Sequence, residues 1–234
     1  MKYIIALALS SLLSITGAQA QADENVSEAV AAAKADGELV KGKSSFKEIW
    51  VNPSVDFAKY NKIFLGESTF EFRDVGPAKK YRTSSYNHSS KNEYGILSED
   101  QEKFKTVVGE AFVKELSKSK KYDVVTEAGP NTLLLEGSVL DIVSHVPPET
   151  VGRSDIYLSS VATVTLVIEI LDSQTGQVIA YVEERRKIEP PGGGTIDRFS
   201  MPSNSVTVWS DVRRWASRSA SRLRSAMEKA QKAK

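Results

Sequence analysis

The segment ATVTLVIEILDSQTGQVIAYVEERRKI, residues 162–188, determines the fold class of this 234-residue chain. Apolar side chains recur at every second position from Ala162 to Ile170, which is the period of a strand with one apolar face. A second β pattern, QVIAYVEERRKI, begins at Gln177, only a few residues later. The segment therefore predicts two long strands that are neighbours in an antiparallel pair.

The five residues between these strands, Asp172–Gly176, predict the corner of a hairpin. Side chains of the aspartate and serine type accept backbone hydrogen bonds in turns, and Gly176 can adopt the positive φ that a bulged hairpin requires. The alternative is that Asp172 is a catalytic carboxylate or a cation ligand. Such a site needs convergent partners that the adjacent sequence does not supply, so we favour the hairpin.

Further strands are predicted on the N-terminal side of this hairpin. They cover Lys62–Glu67, with Thr69–Asp74 as an extension or a partner, Tyr122–Thr126 and Thr132–Val143. Gly137 within the last of these predicts a β-bulge.

Two amphipathic helices accompany the strands. The first begins at Ser98, where Gln101 completes a capping-box spacing. Its apolar positions are Phe104, Val108, Ala111, Phe112 and Leu116. The second covers about Ser203 to Lys232, with apolar positions at Val208, Val212, Trp215, Ala216, Ala220, Leu223 and Met227. We therefore predict an α/β fold: a two-layer sandwich with a mixed sheet of about five strands, a crossover helix and a C-terminal amphipathic helix, all within a single domain at residues 46–234.

The N-terminal sequence has the pattern of a secretory signal peptide at residues 1–20. Lys2 precedes an apolar run of eleven residues at 3–13, and small residues follow up to Ala20. Cleavage after Ala20 or Ala22 leaves a chain that starts at Gln21 or Asp23, with residues 21–45 as a polar helix and linker. The run is shorter than the ~20 residues of a membrane span, and the sequence contains no cysteine to carry a lipid anchor. We therefore expect a soluble periplasmic or secreted protein, without disulfides or thiolate metal sites.

The overall charge indicates no class of partner, because 31 basic residues balance 30 acidic ones. A local pattern is more informative: Arg214, Arg218 and Arg222 recur every four residues on one side of the last helix. Three interpretations are a solvated outer face, a contact for anionic lipid, lipopolysaccharide or peptidoglycan, and a nucleic-acid contact. Export argues against nucleic acid, and the other two interpretations remain open.

Candidate catalytic groups are sparse. The two histidines, His88 and His145, lie beside Ser89 and Ser144, so a hydrolase that combines one such serine, a histidine and a distant aspartate is conceivable. The sequence contains neither HExxH nor GxSxG. The glycine triplet at residues 192–194 lacks the spacing and the lysine of a phosphate-binding loop and is interpreted as a connector. The polar loop at residues 75–97, with its three tyrosines, either binds a ligand or packs on its own domain.

Three stretches give the chain a resemblance to a bacterial family known as domain of unknown function family 3313. They are WVNPSVDFAKY before the first strand, YDVVTEAGPNTLLLEGSVLDI after the helix, and EILDSQTGQVIA, and the similarity covers about Phe46 to Glu189. Members of this family are secreted or lipid-anchored envelope proteins without an assigned activity. The resemblance implies an α/β sandwich and an envelope location, and it carries over no catalytic residues. The chain departs from the family pattern in lacking the lipobox cysteine and in having FLGEST where an Asp-Pro often follows the first strand.

The sequence thus predicts an exported, non-catalytic envelope protein that uses no cofactor. Its expected partner is an envelope protein or an anionic envelope polymer, and Arg214, Arg218 and Arg222 are the candidate residues for an anionic contact. The alternative is a periplasmic hydrolase.

Overall fold

The predicted hairpin forms the centre of the sheet in the computed structural model, which describes residues 28, 30–75, 93–146, 158–191 and 205–232. The strands are β1 (Val40–Lys41), β2 (Glu48–Val51), β3 (Lys62–Phe72), β4 (Asp123–Val125), β5 (Thr132–Ser144), β6 (Ala162–Asp172) and β7 (Val178–Ile188). The helices are α1, which includes residues 30–35, α2 (Ser98–Leu116) and α3 (Ser205–Ala230). A short 3₁₀ turn, Phe57–Lys59, precedes β3.

The sheet is mixed, as predicted, but it has seven strands in the order β1-β2-β7-β6-β5-β3-β4 rather than about five. β6 pairs antiparallel with β5 and β7, whereas β3 pairs parallel with β4 and β5 because α2 forms the crossover connection. The additional strands are β1 and β2, which extend the sheet beyond β7. At two and four residues they are too short to show a period-two pattern in the sequence.

The segment before Phe46 contains a helix, α1, within the predicted polar helix and linker, but it is more buried than its composition indicates. Val30, Ala33 and Leu39 are buried and pack against Leu171 and Val178. Leu171 and Val178 lie on the sheet face opposite α2 and α3. Side chains alternate between the faces of a strand, and the neighbouring Ile170 and Ile179 belong to the core on the helix side. Residues 30–41 are therefore part of the packed structure, since the sheet supplies the apolar surface that this segment lacks by itself.

Helices α2 and α3 pack side by side on the other face of the sheet. All predicted apolar positions of α2 are buried except Phe112, which is partly buried. Those of α3 are buried from Val212 to Met227, and Val208 is partly buried. The rings of Phe104 and Trp215 join the two helices, with centroids 6.4 Å apart. Both predicted amphipathic faces are thus confirmed.

Two local predictions were wrong. Ser98 does not cap α2: the N-cap is Leu97, and the Gln101 side chain donates to the Ile96 carbonyl oxygen at 2.9 Å. The irregularity of β5 lies at Asp141, whose φ is 53°, and not at Gly137. Where β3 pairs with β5 just before Gly137, the one extra residue belongs to β3. An aspartate tolerates the left-handed region, and here Arg73 and Arg185 donate hydrogen bonds to its carboxylate.

Several predicted features lie outside the described residues. They are the signal peptide and its cleavage site, the start of the linker, most of the polar loop at 75–97, and the glycine triplet. Within the described part of the chain, no helix has the length and apolar character needed to cross a membrane.

Candidate anion-binding cleft

Asp172 has the predicted structural role at the hairpin corner. Its Oδ1 accepts hydrogen bonds from the backbone N–H groups of Gln174 and Thr175 at 2.9 and 3.1 Å, and Gly176 has a φ of 70°. The hairpin prediction is therefore confirmed. The other carboxylate oxygen of Asp172, Oδ2, accepts a hydrogen bond from the Tyr60 hydroxyl at 2.7 Å and lies 3.4 Å from Lys59 Nζ.

These contacts make Asp172 a structural anchor between the hairpin and the 3₁₀ turn. Burial alone would raise the pKa of Asp172, but the hydrogen bonds from Tyr60, the two backbone N–H groups and Lys59 outweigh burial and lower it to about 2. Tyr60 precedes Asp172 by 112 residues, so no local pattern in the sequence indicated this contact.

The candidate serine and histidine pair is not assembled where the structure describes it. His145 is buried, and its Nε2 lies 2.8 Å from Thr163 Oγ1. The Ser144 hydroxyl instead donates to the Val146 carbonyl oxygen at 3.3 Å. His88 and Ser89 lie outside the described residues. In the part of the chain that the structure describes, no group of three or more histidine, aspartate or glutamate side chains is arranged to hold a metal ion.

The three predicted arginines do come together, in a cleft between α3 and the end of β7. We call this the basic cleft. It has a volume of about 700 Å³. Its lining consists of Ser45, Arg186, Lys187, Glu189, Pro190, Pro191, Arg214, Trp215, Arg218, Ser219, Ser221 and Arg222. Arg186 and Lys187 were not predicted from the sequence as part of this site, because only the position of α3 over β7 brings them close to the helix.

Arg222, which lines the basic cleft, is held by the buried carboxylate of Glu184. Its Nη2 lies 2.5 Å from Glu184 Oε2, and its Nη1 lies 3.3 Å from Oε1 and 3.0 Å from the Ser45 carbonyl oxygen. Arg186 Nε contacts the same Glu184 at 2.9 Å. Burial raises the pKa of Glu184, but the two arginines outweigh it and the net direction is downward. Arg222 is therefore part of the structure and not a solvated residue.

Arg214 and Arg218 differ in their surroundings. Arg214 forms an ion pair with the buried Asp211, one turn away, and its Nε is buried without a hydrogen-bond partner in the described structure. Burial and the nearby charge of Arg218 lower the pKa of Arg214. Arg218 is exposed and has no carboxylate partner among the described residues. Its guanidinium is thus the one predicted group that remains available to an external anion.

Comparisons with solved structures show only distant likeness. A Xanthomonas campestris protein of the DUF330 family has 11% identity and a TM-score of 0.41, covering 78% of this chain and 91% of that one. A putative neuraminyllactose-binding hemagglutinin homolog from Helicobacter pylori has 13% identity and a TM-score of 0.36, covering 74% and 88%. The PelC dodecamer from Paraburkholderia phytofirmans has 9% identity and a TM-score of 0.32, covering 80% and 96%. No match was found among curated proteins.

The family comparison is decisive where the structural ones are not. The sequence matches the family described as "Protein of unknown function (DUF3313)" over residues 38–223. The match extends beyond the predicted region of similarity at both ends, and it includes β1, β2 and most of α3. Because it covers well over half of the chain, this protein belongs to the DUF3313 family.

Proposed function

We propose that this protein is an exported, non-catalytic envelope protein that binds an anionic envelope component in the basic cleft. The observation that carries the proposal is the position of Arg218. It is exposed in a cleft that is also lined by Arg186, Arg214 and Arg222, and it has no carboxylate partner among the described residues. Guanidinium groups donate two parallel hydrogen bonds to phosphate or carboxylate, so this cleft suits ligands that carry those groups.

The charges around the cleft support the same proposal. Four arginines and one lysine line it, whereas Glu189 is the only acidic residue in the described lining. The buried carboxylates of Asp211 and Glu184 neutralise part of this charge through ion pairs with Arg214 and Arg222. Arg218 lies close enough to disfavour the charged form of Arg214, so a bound anion would relieve this repulsion.

Binding is tested by reversing the charge of Arg218. The matched control is Arg213→Glu, because Arg213 is exposed on the same helix but does not line the cleft. The parent should cosediment with anionic vesicles, lipopolysaccharide or peptidoglycan. Its association should weaken between 0.1 and 1 M salt, because the Debye length falls from about 10 Å to about 3 Å. Arg218→Glu should abolish the association and Arg213→Glu should preserve it. Equal losses in both variants, or no salt-sensitive association of the parent, would contradict the proposal.

Export is tested separately at the N-terminus. The signal-peptide pattern supports a mature chain that begins at Gln21 or Asp23. N-terminal sequencing of the protein from a periplasmic extract should give one of these two starts. Recovery of a chain that retains Met1, or of protein that only detergent releases, would contradict this part of the proposal.

A further inference from the structure

A second cavity, which shares no lining residue with the basic cleft, lies between the two helices and the sheet. It has a volume of about 210 Å³, and most of its lining is apolar. The sheet contributes Leu135 and Val139, and α2 contributes Phe112 and Leu116. We call it the apolar cavity. An apolar void of about 150 Å³ in another protein stays dry and binds benzene, so this cavity is large enough for a hydrocarbon ligand.

Small residues on the sheet and on helix α2 leave this space unfilled, and two of them, Ser68 and Gly109, are exposed to solvent at its open side. On the sheet, Gly137 pairs in register with Ser68, and both lie between larger apolar neighbours. On the helix, Gly109 lines the same cavity. Side chains of ordinary size at these positions would fill much of the gap.

The two glycines are not explained by backbone geometry or by crowding. Neither has a positive φ. A Cβ at Gly137 would meet only Ser68 Oγ, at 3.8 Å, and a Cβ at Gly109 would meet nothing within 4 Å. Glycine in the interior of a helix or strand lowers stability relative to alanine. Gly109 is exposed and borders the open side of the cavity, whereas Gly137 is half-buried. The fold therefore retains at Gly137 an unfavourable residue whose effect is to leave the apolar cavity unfilled.

We propose that the apolar cavity binds one hydrocarbon chain of an amphiphile. Scaling from the benzene cavity, the volume holds about eight carbon atoms. The lining favours an alkyl chain over a peptide, because Ser68 and Glu136 are its only polar side chains in the described structure. Glu136 pairs in register with Glu169 and so belongs to the other face of the sheet. A buried peptide backbone would leave its polar groups without partners, whereas an alkyl chain has none to satisfy. Entry is available beside Val113, which is 47% exposed.

The test uses octanoate for the chain of a free fatty acid and dioctanoylphosphatidylcholine for the chain of a phospholipid. Binding is followed by methyl chemical shifts, and we expect saturable changes at Leu135, Val139 and Leu116. Gly137→Val adds a side chain that points into the cavity and should weaken binding about 10-fold or more, without lowering Tm. Gly129→Val is the matched control, because Gly129 also has room for a Cβ but does not line the cavity.

Two further variants keep the test decisive. If Gly137→Val does not fold, Gly109→Leu fills the cavity from the helix side and should block binding in the same way. Arg218→Glu should bind both probes like the parent, which separates this proposal from that of the basic cleft. The proposal is overturned if the parent binds neither probe saturably, if the cavity-filling variant that folds binds like the parent, or if Gly129→Val loses as much affinity. Binding of an apolar peptide without binding of either alkyl probe would also overturn it.

Discussion

Replacing Arg222 with methionine should destabilise the protein far more than the same change at Arg218. The two arginines are one helical turn apart on α3, and both line the basic cleft. Methionine keeps an unbranched apolar stem in each case, so the comparison isolates the guanidinium. Only Arg222 is bonded to Glu184, whose side chain is 4% exposed.

The magnitude follows from what remains around Glu184 after the change. Two hydrogen bonds from Arg222 disappear, and the remaining partner is Arg186, whose side chain is 50% exposed. Removing one member of a buried ion pair costs about 3–5 kcal/mol because a charge stays buried without full compensation. Since Arg186 stays in place, we expect the lower end, about 3 kcal/mol. Exposed Arg218 should contribute less than about 0.5 kcal/mol.

Urea unfolding followed by tryptophan fluorescence at pH 7 measures both free energies. A third protein, which carries Glu184→Met together with Arg222→Met, tests the cause. Replacing both members of a buried pair by apolar residues is often neutral, so this double variant should recover most of the loss. The reasoning is refuted if Arg222→Met costs less than about 1 kcal/mol, or if the double variant is no more stable than the single one.

Three other predictions concern Asp172, Asp141 and His145. Asp172→Asn should lower the free energy of unfolding by about 2 kcal/mol, because a neutral amide replaces a carboxylate that accepts four hydrogen bonds. Gly176→Ala should lower it by about 1 kcal/mol. If urea unfolding gives the opposite order, the anchor role of Asp172 is contradicted. Hydrogen bonds from Arg73, with further help from Arg185 and against the effect of burial, lower the pKa of Asp141 to about 2, and the pKa of Asp172 is also about 2. Both groups therefore stabilise the fold fully above their unfolded pKa of about 4. Acid titration should show this stabilisation disappearing as pH falls towards 2. The contribution of Asp141 should be the smaller one, because its side chain is more exposed. His145→Ala should lower Tm by removing the buried contact with Thr163. The parent should hydrolyse no generic ester or peptide. If the parent does hydrolyse such a substrate and a folded His145→Ala variant does not, the hydrolase is favoured.

Local chemistry in the sequence was enough to predict the central elements. The alternation along β6 and the helical spacing along α2 and α3 report which side of each backbone is apolar, and burial then follows from that side. The turn residues Asp172 and Gly176 specify the hairpin because they act on their own backbone. Family membership likewise followed from the order of these stretches along the chain.

The tertiary structure decided which side chains meet across long separations. Arg222 meets Glu184 because of where α3 packs, and Asp172 meets Tyr60 because of where the 3₁₀ turn packs. No pattern within a short window of the sequence encodes these positions. β1, β2 and the buried part of the N-terminal segment depend on the sheet surface next to them. As a result, three arginines that look equivalent in the sequence are distinct: Arg222 is bonded to a buried carboxylate, Arg214 is paired within its own helix, and Arg218 is exposed. The spacing of residues fixes the face of a helix on which a charge lies, but only packing determines whether a side chain of opposite charge contacts that face.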